Sequence, residues 1–133
     1  MHTNSLTFSI TVLNYYFGRI NKKVVITQNS LSYENKVNLG NSKKIIRPLN
    51  DTIESEIADF VIKFPLDKLE KTYINPMVKD GTQIRFIFNI NNLSKEIFIG
   101  NMYQEKLGKL VKLMVTMLPE DYIQYKKEHI YPY

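Results

Sequence analysis

The chain has 133 residues with a formal charge of +5, 44% of them hydrophobic and 23% charged, enough for one domain with a buried core and too little for two joined by a linker. That composition excludes disorder, collagen-like repeats and coiled coil as descriptions of the chain, and the absence of cysteine removes disulfides, thiolate nucleophiles and thiolate metal sites. Histidine chemistry is nearly excluded with only His2 and His129 present, no apolar run approaches the roughly 18 residues of a membrane span, and no base precedes the first apolar stretch as in a signal peptide, so a chain natively starting at Met1 is expected in the cytoplasm.

Leu6, Phe8, Ile10 and Val12 alternate with Thr7, Ser9 and Thr11, the period of an amphipathic strand. After Gly18 a second strand over 23–27 turns through Gln28-Asn29-Ser30 into a third over 31–34. The polar stretch 35–42, with Gly40, reads as a loop, and 44–47 as a fourth short strand that Pro48 ends. Asp51 and Glu54 have capping-box spacing, and Ile53, Ile57, Phe60, Val61 and Phe64 recur at helical spacing up to Pro65. One more helical turn over 65–71 precedes a loop over 73–81 with the turn-forming pairs Asn75-Pro76 and Asp80-Gly81.

Ile84, Phe86, Phe88 and Ile90 then alternate, and Asn91-Asn92 turns the chain into a strand over 95–99, a second hairpin. The spacing of Leu107, Leu110, Val111 and Met114 predicts a helix over 103–118, closed by Pro119. Residues 120–133 show neither period and read as a partly ordered, tyrosine-rich tail, with Tyr122 and Tyr125 laid on the body and the last residues fraying. The expected fold is a single α+β domain: an antiparallel sheet of five to six strands with two helices packed on one face, in the order ββββ-α-ββ-α.

Tyr73 and Asn75 ahead of Asp80-Gly81-Thr82-Gln83, a hairpin ending in Asn101, and Leu118-Pro119-Glu120 after the last helix together resemble a pattern of small uncharacterised proteins of the Bacteroidota. The resemblance covers a third to a half of the chain. It implies an α+β fold in which an Asp-Gly turn leads into a hairpin, and it supplies no activity.

No phosphate loop, paired-histidine helix, nucleophile elbow or calcium loop is present, so no cofactor, metal or catalytic residue is assigned. Glu56 and Asp59, three apart, could share a proton or hold a hard cation, against the plainer reading of a solvated helix face. Charge is the stronger signal. Residues 1–50 carry Arg19, Lys22, Lys23, Lys36, Lys43, Lys44 and Arg47 against the single acid Glu34.

Tyr15, Tyr16, Phe17 and Tyr33 lie in the same region. An exposed sheet carrying Tyr15, Tyr16, Arg19, Lys22, Lys23, Tyr33, Lys43, Lys44 and Arg47 would suit an acidic protein partner. The chain is therefore expected to be a non-catalytic binding module of the inhibitor, immunity or accessory-subunit type, monomeric or homodimeric. The same surface could instead hold single-stranded nucleic acid by phosphate contacts and stacking. Lysine at strand edges also serves simply to discourage aggregation.

Overall fold

Side chains alternate along Phe8–Tyr16 (β1), so Phe8, Ile10 and Val12 share one face, and all three are buried. In the computed structural model, which describes residues 6–16, 19–35, 44–77, 82–118, 122–123 and 125–127, β1 is the central strand of a seven-stranded sheet. The other strands are β2 (Arg19–Thr27), β3 (Ser30–Asn35), β4 (Lys44–Pro48), β5 (Thr72–Ile74), β6 (Gln83–Ile90) and β7 (Leu93–Gly100), in the spatial order β4-β3-β2-β1-β6-β7-β5. Lys43, the part of the expected 35–42 loop beyond Asn35, which itself ends β3, the expected turn at Asp80-Gly81, Pro119, His129 and the last tyrosines fall outside the described residues, as does the side chain of Tyr16.

The α+β class agrees with the sequence reading, while the strand count and order do not. The additional strand is β5, which overlaps the start of the stretch read as a loop. It pairs with β7 in parallel, Tyr73 opposite Ile99, whereas every other strand pair is antiparallel. Three residues are too few to display a period, and β5 exists because β7 offers an edge to pair with.

The helices are α1 (Asp51–Lys63) and α2 (Glu105–Val115), with a 3-10 turn at Leu66–Lys68. Asn50, not Asp51, caps α1: its Oδ1 accepts from the Ile53 N–H at 2.9 Å, leaving Asp51 and Glu54 in the first turn. At α2 the cap is Gln104, whose Oε1 accepts from the Leu107 N–H at 2.9 Å, so Tyr103 precedes the helix. Since α1 follows β4 and precedes β5, the chain passes from one edge of the sheet to the other across its covered face.

Cross-strand rows build that face: Tyr33, Val24, Val12, Phe86 and Ile97 lie side by side, with Leu31, Ile26, Ile10 and Phe88 in the next row. Ile57 and Val61 of α1 and Leu107, Leu110, Val111 and Met114 of α2 complete one hydrophobic cluster with them. Each such side chain contributes roughly 1.5–3 kcal/mol by leaving water. A line of aromatic rings ties the layers together: Phe60, Phe64, Phe88, Phe86, Tyr125 and Tyr103, with successive centroids 5.0–6.3 Å apart.

Candidate functional site

Strand register divides the predicted surface between two faces. On the face away from the core, Lys44, Glu34, Lys23, Leu13, Arg85 and Phe98 form one row, and Ile46, Ser32, Val25, Thr11, Ile87 and Glu96 the next. Arg85 lies over the Phe98 ring at 5.6 Å and meets Glu96 at 3.0 Å. Lys23 and Lys44 thus flank Glu34, a row of alternating sign.

Lys22, Tyr33 and Arg47 belong to the opposite, helix-bearing face. Tyr33 is buried and meets the Tyr122 ring edge-on at 5.1 Å. The Arg47 guanidinium lies over the Tyr33 ring at 5.8 Å and donates to its hydroxyl at 3.3 Å, and the Lys22 ammonium stands 5.1 Å from the Tyr122 centroid. The Tyr122 hydroxyl donates to the main-chain oxygen of Glu34. Burial, then the charge of Glu34 and the neighbouring Tyr33, push its pKa up from 10.0 to about 12.

This group docks the segment after α2 onto β2 and β3. Two of its cations therefore already have intramolecular ring partners. Tyr15 lies just past an irregularity in the β1–β2 register, opposite Ile20, and Arg19 is exposed at the β1–β2 hairpin end opposite Tyr16. Hence the residues read from sequence as one basic, aromatic surface are not brought together on one face.

What the structure does assemble is an edge. All five residues of β4 are exposed, Ile45 by 41% and Ile46 by 62%. The Leu49 N–H donates to the Asn29 oxygen at 3.0 Å, directly opposite it given that Ser30 faces Pro48. Antiparallel pairs alternate between bonded and non-bonded, so Arg47 and Ile45 turn their main-chain groups toward β3. Lys44 and Ile46 turn theirs outward, and Pro48 is tolerated because its missing N–H would also point outward. Sequence reasoning found Lys44 and Arg47 but not Ile45 and Ile46, whose apolar character reads equally well as core.

Between the helices lies a shallow groove of about 400 Å³, floored by Phe60, Phe64, Pro65 and Leu113 and rimmed by Glu56 and Asp59 on one wall and Lys106 and Lys109 on the other. Asp59 is paired with Lys63 at 3.0 Å, and among the described residues no three His, Asp or Glu side chains converge as metal ligands. No described helix is long and apolar enough to cross a membrane. The chain matches no protein-family model and no curated protein sequence.

Proposed function

We infer that this chain is a small non-catalytic protein-binding module, of the inhibitor, immunity or accessory-subunit type, that engages another protein through β4 and the sheet surface beside it. The observation that carries the reading is the exposure of Ile46 on an outermost strand between two cations, Lys44 and Arg47. Natural edges are normally blunted by polar or charged residues along their length. Lys44, Arg47 and Pro48 follow that habit in β4, but the two exposed isoleucines between them do not, and they offer apolar contact area beside main-chain groups with no partner among the described residues.

Single-stranded nucleic acid is the weaker reading, because stacking and phosphate contact need rings and cations on one accessible surface, whereas Tyr33 is buried and Lys22 and Arg47 lie against rings on the other face. The test is capture from a lysate of the source organism, with and without nuclease, using the native chain and an Ile46→Asp variant. A protein retained after nuclease by the native chain and lost by the variant is the expected result. Retention unaffected by the substitution removes β4 as the contact, and material lost on nuclease treatment transfers the reading to nucleic acid.

A further inference from the structure

Resting on that protein-binding reading, we propose that β4 accepts an extended segment of the partner as an eighth, antiparallel strand, and that the segment carries two acids flanking two apolar residues. The outward main-chain groups of Lys44 and Ile46 supply four hydrogen bonds to such a strand, and the Pro48 carbonyl accepts a fifth. Because Pro48 offers no N–H, the docked ladder weakens there.

Side-chain chemistry sets the partner's pattern. Residues directly opposite share a face, so the residue facing Lys44 extends the row Lys23, Glu34, Lys44, and an acid there continues its alternation of sign. The Arg47 row runs through Leu31, Ile26, Ile10 and Phe88 to Lys95, so it holds two cations and no acid, and a second acid opposite Arg47 supplies one. Apolar residues between them face Ile45 and Ile46. Read antiparallel, the partner segment is acid-apolar-apolar-acid, the first acid opposite Arg47.

The same charges disfavour a second copy of the chain. Antiparallel pairing of two β4 strands, with Ile46 opposite Ile46, gathers two lysines and two arginines within roughly a Debye length, about 10 Å, of like charge. An acidic strand meets attraction where a copy meets repulsion.

The experiment is a fluorescence-anisotropy titration of the whole protein with labelled, end-blocked Thr-Glu-Val-Val-Glu-Thr and with the reordered Thr-Val-Glu-Glu-Val-Thr. The first is expected to bind at least tenfold more tightly, less so as salt rises, and to lose that advantage with Lys44→Glu alone and with the Lys44→Glu, Arg47→Glu pair. N-methylation of its first valine, whose N–H faces Ile46, is expected to abolish binding, while N-methylation of the second, whose N–H faces away, leaves it nearly unchanged. Equal affinity for the two peptides, no measurable binding of the first, or equal effects of the two methylations overturns strand addition. If the peptides fail while Ile46→Asp still removes a captured protein, β4 remains the contact and only the strand-addition mode is lost. Failure of both removes the protein-binding reading as well.

Discussion

Gly108 and Tyr103 fit together because the glycine has no side chain: a β-carbon at position 108 would stand 2.0 Å from the Tyr103 hydroxyl oxygen and 2.3 Å from its Cζ. Helix propensity alone favours Ala over Gly within a helix by about 1 kcal/mol. Here the sign is expected to reverse. The Tyr103 ring is held against Tyr125, centroids 5.0 Å apart, and cannot swing aside freely, so Gly108→Ala should destabilise by about 1–3 kcal/mol in urea unfolding. Combining it with Tyr103→Ala should restore part of the propensity gain, and a stabilised single variant would contradict the packing described.

Tyr125 is buried, and its hydroxyl serves two main-chain groups, accepting from the Gln104 N–H and donating to the Met102 oxygen, both at 2.7 Å. Tyr125→Phe keeps the ring contacts with Phe86 and Tyr103 and strands both main-chain groups. A loss of about 1–3 kcal/mol is expected, with earlier hydrogen exchange at the start of α2. An unchanged unfolding midpoint would mean that water replaces the hydroxyl.

The alternation in β1 and β6 and the apolar stripe of each helix are legible because one face of each element is buried in a single cluster. Pairings between distant segments are not. Nothing local in Phe8–Tyr16 announces β6 as its second neighbour, and Thr72–Ile74 becomes a strand only against β7. The division of the basic, aromatic residues between two faces is illegible in the sequence for a related reason. Lys22 and Lys23 are adjacent in sequence yet belong to opposite faces, and a strand's pleat separates charges that a composition count adds together. Lys95 was missed for the same cause: it lies on the covered face opposite Phe88, and its ammonium reaches the carbonyls of Leu66, at 2.9 Å, and Leu69, partners visible only in three dimensions.

The sequence spacing points to Asp51 as the cap of α1 and the structure to its neighbour Asn50, and substitutions of the two separate the roles. Asn50→Ala removes the acceptor for the Ile53 N–H and should cost about 1 kcal/mol. Asp51→Ala removes only a charge in the first turn of α1, for which about 0.3–1 kcal/mol is expected at low salt. High salt should shrink the second effect and leave the first nearly intact. Comparable salt sensitivity in both variants would return the cap to Asp51.

Tyr122 gives the fold a dependence on alkaline pH whose sign follows from its surroundings. Its phenol holds its proton up to about 12 against 10.0 in an unstructured chain, first through burial and then through the nearby charge of Glu34. Below pH 10 both states keep the proton and the contribution is fully present. As pH rises from 10 toward 12 the unfolded chain gives up the proton and the folded chain does not, so stability falls until the folded group also titrates. Because the ring remains partly exposed, solvent screening keeps the slope below the roughly 1.4 kcal/mol per unit of an isolated site. Tyr122→Phe leaves the Glu34 carbonyl without this donor and should be less stable at neutral pH by about 1 kcal/mol. It should also lose less stability than the native chain between pH 10 and 12. Urea unfolding of the pair across that range reads the difference directly, and parallel curves would show that the phenol is not held in its neutral form by Glu34 and burial.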